Sequence, residues 1–242
     1  MKIEMKVAIM QPYFFPYIGY WQMINAVDKF ILFDDVNYIN RGWINRNLIL
    51  INNEPKYINL YLDKASQNKL INEISILDND NIKRKFLKTI EISYIKAPYF
   101  NQVYPIIEKI MYVNSKNLSL FLENSINKVC EYLLINTEII KSSTLHNNKL
   151  LKNQEKIIDI CNNINADCYI NAIGGQGLYD YDRFEKENIT LKFLSSKSYV
   201  YKQFKQEFIP NLSIIDIMMF NNRDNIKFIL DSFEVITSKK EK

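Results

Sequence analysis

Short apolar runs alternate with helical patterns over the first 35 residues. Residues 7–10 form an apolar run typical of a buried strand, and Pro12 and Pro16 prevent its continuation. Apolar side chains recur at helical spacing over residues 17–26, and a second apolar run covers residues 29–33. Strand, helix and strand within about 30 residues predict a βαβ unit, which requires a parallel sheet with helices on its faces.

The later parts of the chain repeat these patterns. Two runs at residues 45–51 and 56–62 flank Asn52 and Asn53 and predict a hairpin. Further strands are predicted at residues 139–142, 168–171 and 191–194, and helices at residues 153–164 and 214–220.

The stretch between these α/β parts is different. Apolar residues recur at helical spacing over residues 81–134 and predict two or three helices, broken near Pro98 and Pro105. The predicted fold class is therefore α/β, a Rossmann-like parallel sheet with helices on both faces and an inserted helical subdomain. The predicted division is an N-terminal α/β part (1–80), a helical insertion (81–136) and a C-terminal α/β part (137–236).

Composition narrows the class of protein. With 48% apolar and 13% aromatic residues, the 242-residue chain can bury a large core, and disorder is expected only at residues 237–242. A net charge of +4 is too small to predict specific nucleic-acid binding. The N-terminus lacks the features of a signal peptide, and no apolar run reaches the roughly 20 residues of a membrane span. We expect a cytoplasmic protein without a transmembrane segment.

The cysteines and the single histidine argue against a metal site. Cys130, Cys161 and Cys168 have neither metal-ligand spacing nor an even count, and their apolar surroundings predict buried free thiols in a reducing cytoplasm. His146 lies in a polar stretch typical of a surface loop. We therefore predict no metal and no histidine-based catalytic triad.

Rare residues crowd into residues 10–46. This segment holds both tryptophans and two of the five glycines. In open α/β sheets, ligands bind beyond the carboxyl ends of the strands. Residues 11–20, 34–46 and 172–179 each follow a predicted strand, so they are expected to converge on one site.

Gln11 follows the first strand, and the helix start near Pro16 offers backbone N–H groups to an anion. An ordinary β-to-α turn is the alternative. Most aromatic residues in this segment are expected in the core, with one or two of Tyr13, Tyr17 and Tyr20 facing a ligand.

Asp34 and Asp35 end the second strand, so we expect them at its exposed mouth. Because consecutive strand residues point to opposite faces, one is the candidate general base or amine-binding group and the other caps the loop. In the alternative, both are solvated or stabilise the loop.

Arg41, Trp43, Asn45 and Arg46 suit an extended segment, with Arg46 on the face opposite the other three. Arginine in a lysine-rich chain suggests bidentate binding of phosphate or carboxylate. A salt bridge to the aspartates is the alternative.

Gly174 and Gly175 follow a predicted strand and open a loop that a ligand can approach closely. The loop lacks both the dinucleotide fingerprint and the P-loop ending.

Three segments resemble the WbqC-like family: residues 7–47, 155–180 and 208–221. The resemblance implies work on bacterial surface polysaccharide (O-antigen), where a member has been suggested to be a glycine transferase acting on an amino sugar. Many relatives carry histidine at the position of Met10.

The segment PYFFPYIGYW is similar in position to the HIGH-type signature of nucleotidylyltransferases and pantoate-alanine ligase, with Tyr17 and Tyr20 at its histidine positions. Residues 195–198 (SSKS) are distantly similar to the matching lysine loop. This likeness implies a nucleotide pocket.

The leading hypothesis is an acyl or aminoacyl transferase acting on the amino group of a nucleotide-linked amino sugar. One of the aspartates takes the proton, the arginines hold phosphate, and N–H groups at the glycine pair stabilise the oxyanion. An acyl carrier or aminoacyl compound is the donor, and no motif specifies a cofactor.

The alternative is a non-catalytic protein that binds nucleotide sugar or acyl carrier for a separate enzyme. A metal-dependent glycosyltransferase that uses Asp34 and Asp35 is weaker, because this adjacent pair lacks the Asp-x-Asp spacing.

Overall fold

The structure is a computed structural model that describes residues 4–197, 199–204 and 207–237. Ser198 of the lysine-loop similarity and residues 238–242 of the predicted disordered tail lie outside the described residues. In chain order, the strands and helices are β1 (Lys6–Met10), α1 (Ile18–Asn25), β2 (Lys29–Leu32), β3 (Arg46–Ile51), β4 (Glu54–Asn59), β5 (Leu62–Asp63), β6 (Ser75–Ile76), α2 (Asp80–Tyr94), α3 (Phe100–Met111), α4 (Leu118–Leu133), β7 (Glu138–Lys141), α5 (Asn153–Asn163), β8 (Cys168–Ala172), α6 (Tyr181–Glu185), β9 (Thr190–Ser196), α7 (Ile214–Phe220), α8 (Arg223–Leu230) and β10 (Phe233–Ile236).

The central sheet has six strands in the order β10-β9-β8-β1-β2-β7. All neighbours are parallel except β10, which runs antiparallel to β9. Numbered along the chain within this sheet, the order is 3-2-1-4-5-6, that of doubly wound nucleotide-binding folds. The predicted parallel sheet is confirmed. The chain reverses its direction of growth between β1 and β8, and we call this place the crossing point.

Both faces of the sheet are covered, as predicted. On one face, α1, α7, α8 and the inserted helices share a core that contains Tyr20, Trp21 and Phe30. On the other face, Ile157 of α5 and Phe184 of α6 pack in a second core. The fold is thus a mixed α/β, Rossmann-like architecture.

The helical stretch contains α2, α3 and α4. The break near Pro98 separates α2 from α3, as predicted. The predicted break at Pro105 is wrong, because this residue lies inside α3. Proline removes one helical hydrogen bond. Val103, Ile107 and Ile110 nevertheless bury one face of α3 and keep the helix continuous. The three-part domain division stays a prediction.

The predicted hairpin is confirmed as β3 and β4, paired antiparallel from Ile51 opposite Glu54. Asn52 and Asn53 have φ angles of 55° and 61°, the left-handed backbone that a tight hairpin turn requires. The edge strand β10 and the helix α8 were not predicted, because their apolar residues are few and interrupted by charge. None of the helices in the described residues combines the length and apolar character of a membrane span.

Candidate functional site

A cleft of about 620 Å³ lies at the crossing point. Gln11 follows β1, Asn171 belongs to β8, and Asn153 begins α5; all three line it. Phe33 and Tyr179 form part of its walls. We call this the crossing-point cleft. Doubly wound folds bind ligands at this place, because the loops that follow the strands on either side of the reversal part there.

Polar groups of the crossing-point cleft are neutral amides and phenols. Asn171 accepts a hydrogen bond from Ala172 N–H at 2.8 Å, and the Tyr179 hydroxyl bonds the Tyr169 hydroxyl at 3.1 Å. The helix α5 begins without a side-chain cap, so its first N–H groups lack partners within the helix. Lys152, directly before α5, lines an adjoining cleft of about 510 Å³. The N–H groups suit an anionic group, whereas Glu155 and Asp180 line the same adjoining cleft and offset the charge of Lys152.

The loop between β1 and α1 is held rigidly. Phe15 has a left-handed backbone with φ of 42°, which is costly for a residue with a side chain. Asn47 donates to the Phe15 carbonyl oxygen at 2.9 Å, and the Ser213 hydroxyl donates to the same oxygen at 2.8 Å. The Tyr20 hydroxyl donates to the Gln11 carbonyl oxygen at 3.1 Å. Tyr20 is buried, so it supports this loop from the core and does not line the crossing-point cleft.

A second cleft of about 540 Å³ adjoins the first, and Tyr13 lines both. Tyr17, Trp43 and Pro210 are also among its lining residues, and we call it the aromatic cleft. Burial raises the pKa of Tyr13 and of Tyr17, so both hydroxyls stay protonated at neutral pH and can donate hydrogen bonds. The sequence candidates Gln11, Tyr13, Tyr17 and Trp43 are therefore brought together along one groove.

Asp34 is buried, so the expectation that it lies exposed at the end of β2 is wrong. The residue is 1% exposed, and its carboxylate accepts hydrogen bonds from the hydroxyls of Ser119 at 2.6 Å and Ser143 at 2.8 Å. Ser143 N–H and the Ser142 hydroxyl add contacts at 3.0 and 3.3 Å. The chain turns directly after β2, and the turn at Ser142–Thr144 covers the carboxylate.

Asp35 is 7% exposed and forms a buried ion pair that the sequence did not suggest. Lys156 Nζ lies 2.9 Å from Asp35 Oδ2, where the angle does not allow a hydrogen bond and the contact is an ion pair. The same ammonium donates a hydrogen bond to the Asp35 backbone carbonyl oxygen at 2.9 Å. The Ser142 hydroxyl bonds the other carboxylate oxygen. The ammonium also lies 5.2 Å from the centre of the Phe33 ring, which lines the crossing-point cleft. Asp35 thus lies one layer behind the wall of that cleft. The catalytic roles of both aspartates stay predictions.

The expected extended segment at Arg41 to Arg46 is wrong, because residues 40–45 form turns and β3 begins at Arg46. Arg46 bonds the carbonyl oxygens of Arg41 and Gly42 and lies 4.4 Å from the Tyr57 ring centre.

Asn45 accepts from the Tyr38 hydroxyl at 2.8 Å and donates to the Leu60 carbonyl oxygen at 3.0 Å. Arg41 is exposed. Arg41, Asn45 and Arg46 line neither of the two clefts, and their binding roles stay predictions.

The glycine pair lies in a short 3-10 helix, Ile173–Leu178, and neither glycine has a positive φ. Gly174 has open space around it, whereas a Cβ on Gly175 would lie 2.8 Å from the Asn171 amide nitrogen. Close packing of Gly175 on Asn171 thus positions a residue of the crossing-point cleft. Of this helix, Gly177 and Leu178 line the cleft. The oxyanion role of Gly174 and Gly175 stays a prediction.

The sequence analysis missed Asp216, a fully buried carboxylate on α7. It accepts hydrogen bonds from the hydroxyls of Tyr94 at 2.8 Å and Tyr201 at 2.6 Å, and from the Gln203 amide at 2.8 Å. Burial raises its pKa, although these three donors oppose the shift. An acidic residue inside the apolar run SIIDIMMF was the available signal, as was Lys156 beside two isoleucines.

The cysteine prediction is confirmed, since all three are free and buried. Burial raises the pKa of Cys130 and Cys161 to about 12 and that of Cys168 to about 11. His146 is exposed, as expected. Across residues 4–197, 199–204 and 207–237, no cluster of three or more His, Cys, Asp or Glu side chains could hold a metal ion.

Comparison with known proteins identifies the family of this chain. The profile of the WbqC-like protein family matches residues 11–228. The chain belongs to the WbqC-like protein family. This WbqC-like chain is also similar to the uncharacterized protein Rv1507c of Mycobacterium tuberculosis, with 28% identity over 219 residues, or 88% of this chain and 92% of the relative. No solved structure gives a significant match. The matched region includes every residue that lines the aromatic cleft and all but Ile9 and Met10 of those that line the crossing-point cleft.

Proposed function

We propose that this WbqC-like protein transfers an acyl or aminoacyl unit, such as glycine, to the amino group of a nucleotide-linked sugar during bacterial surface polysaccharide synthesis. The crossing-point cleft carries this proposal. Its position suits a nucleotide, because doubly wound sheets bind ligands at this place and the uncapped N-terminus of α5 offers N–H groups to a diphosphate. Gln11 and Asn171 offer neutral amides beside that position.

The chemical step is amide formation. The neutral sugar amine attacks the carbonyl carbon of an activated donor, such as an aminoacyl compound or an acyl-carrier thioester. A carbon–nitrogen bond forms as the bond to the leaving group breaks, the leaving group takes the electron pair, and the nitrogen gives its proton to a base. Of the two aspartates, Asp35 is the candidate base that is linked to the cleft, because its partner Lys156 packs on Phe33 of the wall, and it lies behind that wall without lining the cleft. A hydroxyl such as that of Tyr13 can donate a hydrogen bond to the oxyanion.

One observation favours a second function, that of a non-catalytic nucleotide-sugar or acyl-carrier binding protein. Among the described residues, those lining the crossing-point and aromatic clefts include no Asp, Glu, Lys, Arg or His. Both aspartates after β2 are engaged by buried donors. A site of neutral groups can bind a substrate without supplying a base to it.

Turnover measurements separate the two functions. Purified protein is incubated with uridine- and thymidine-diphosphate-linked amino sugars and with glycyl adenylate or a glycyl pantetheine thioester. Mass spectrometry then detects the glycylated sugar nucleotide. We expect product, and we expect Gln11→Met to lower both binding and turnover because it removes an amide from the crossing-point cleft. Gln102→Met is the matched control, since Gln102 is exposed on α3 and lines neither cleft.

Tight binding without product would support the binding-protein alternative. If none of these ligands binds, or if Gln102→Met and Gln11→Met behave alike, the assignment of the crossing-point cleft is wrong.

A further inference from the structure

The aromatic cleft has no role in the nucleotide assignment, yet it is open to a ligand. Its volume of about 540 Å³ falls in the range of small-molecule sites. It meets the crossing-point cleft at Tyr13, which lines both. Ligands in the two clefts would therefore both contact Tyr13.

Two partly exposed rings line this cleft. Tyr17 is 37% exposed and Trp43 is 42% exposed, although large aromatic side chains are usually well buried. The Tyr17 ring lies against Gly19, where a Cβ would stand 2.6 Å from its Cε2 atom. Glycine at this position thus leaves room for the ring, and any side chain there would displace it.

Trp43 is held in place by contacts with neighbouring residues. Its ring centre lies 6.4 Å from that of Tyr57, which in turn carries the guanidinium of Arg46 at 4.4 Å. The Trp43 carbonyl oxygen accepts a hydrogen bond from Phe14 N–H at 3.0 Å, which ties it to the loop after β1. Rings held in this way lose little conformational entropy when a ligand stacks on them.

The polar groups of the cleft are all neutral. They include the Tyr13 and Tyr17 hydroxyls and the Asn211 amide, and burial keeps both hydroxyls protonated by raising their pKa. The Asn47 amide is already occupied by the loop carbonyl oxygens. Among the described lining residues, no side chain ionises near neutral pH to pair with a phosphate or carboxylate. An uncharged ligand with both apolar faces and hydroxyl groups fits this lining, and a sugar ring has both.

We propose that the aromatic cleft binds the pyranose ring of the acceptor, stacked between Tyr17 and Trp43, while the nucleotide diphosphate occupies the crossing-point cleft. The inference rests on the proposed function for the identity of the whole substrate. It adds the substrate class recognised by this cleft and makes Trp43 a specificity-determining residue. Tyr13, between the two clefts, lies where the sugar and the diphosphate join.

Ligand titration tests the sugar assignment with three probes: a uridine-diphosphate-linked amino sugar, uridine diphosphate alone, and the methyl glycoside of the amino sugar. Isothermal titration calorimetry measures the affinity of every variant, and in the wild type the emission of the partly exposed Trp43 also reports on this cleft, because Trp21 is fully buried. We expect Trp43→Ala to weaken the linked sugar about tenfold while uridine diphosphate binds unchanged. Trp43→Phe should restore most of the affinity. Tyr61→Ala is the matched control, since Tyr61 is 52% exposed and lines a different cleft.

The outcomes separate this inference from the proposed function. If Trp43→Ala leaves the linked sugar unaffected, or weakens uridine diphosphate equally, the sugar assignment is overturned while nucleotide binding stands. If the methyl glycoside shows Trp43-dependent saturation-transfer signals but no nucleotide binds, the sugar cleft stands and the nucleotide assignment fails. Trp43-dependent binding of a short polyprenyl phosphate, without sugar binding, would overturn the inference in favour of a lipid.

Discussion

The buried pair of Asp35 and Lys156 offers the sharpest test of how this site is held together. Their side chains are 4% and 6% exposed, and the carboxylate-to-ammonium distance is 2.9 Å. Removing one partner leaves the other charge buried without compensation, which costs about 3–5 kcal/mol. Folded domains have unfolding free energies of only about 5–15 kcal/mol, so either single change consumes a large share of the total.

We therefore expect Asp35→Asn and Lys156→Met each to lower the unfolding free energy by about 3–5 kcal/mol, measured by urea unfolding with circular dichroism. The melting temperature should fall by about 6–20 °C in each case. The double variant should lose less than either single variant, because no buried charge is left unpaired. Single losses of about 1 kcal/mol or less, as for a surface pair, would refute the reasoning. A double loss equal to the sum of the singles would refute the coupling.

The same double variant tests the catalytic role of Asp35 independently of stability. If the Asp35 carboxylate takes the amine proton, the folded double variant should bind substrate without turnover. Full turnover by that variant would leave Asp35 a purely structural role.

Three further outcomes are expected. Burial raises the pKa of Asp216 above its ordinary 3.8, so the native state binds the carboxyl proton more tightly than the unfolded state does. The stability that protonated Asp216 contributes is therefore lost as pH rises through its native pKa. Asp216→Asn should remove that loss, so the unfolding free energy of the variant, measured by urea titration, should rise relative to that of the wild type from pH 3.8 upward. A difference in unfolding free energy that does not change with pH would contradict this. Cys130, Cys161 and Cys168 should resist a thiol reagent at pH 8 until denaturant is added, because burial keeps them protonated and inaccessible; rapid labelling of the native protein would disprove their burial. Pro105→Ala should raise the unfolding free energy by about 1–3 kcal/mol, since this exposed position in α3 regains a helical hydrogen bond, and an unchanged urea midpoint would argue against it.

Local pattern was enough for most elements of the fold. The βαβ unit of residues 6–32 was recognised because a period of two or 3.6 in apolar positions depends only on neighbours in sequence. The hairpin turn was recognised because asparagine tolerates the left-handed backbone found at Asn52 and Asn53. β10 was missed because a four-residue edge strand has little pattern of its own and forms by pairing with β9.

The residues of the candidate site also fall into two groups, those that the sequence could place and those that only the tertiary structure placed. Gln11, Tyr13, Tyr17 and Trp43 could be placed near a ligand from their position after a strand, and all four line the two clefts. Asp34 and Asp35 occupy an equivalent sequence position but are buried, and only the tertiary structure decided this. Their partners come from Ser119, Ser142 and Lys156, more than 80 residues away in the chain.

The sequence by itself determined most of the strands and helices and the family of this protein, since these depend on residue type and local spacing. The tertiary structure alone decided which polar side chains of residues 10–46 face the groove and which are neutralised in the interior. The physical reason is that an ionisable group is buried only where distant segments supply its hydrogen bonds or its countercharge. That supply depends on how the chain packs, and a local sequence pattern does not contain it.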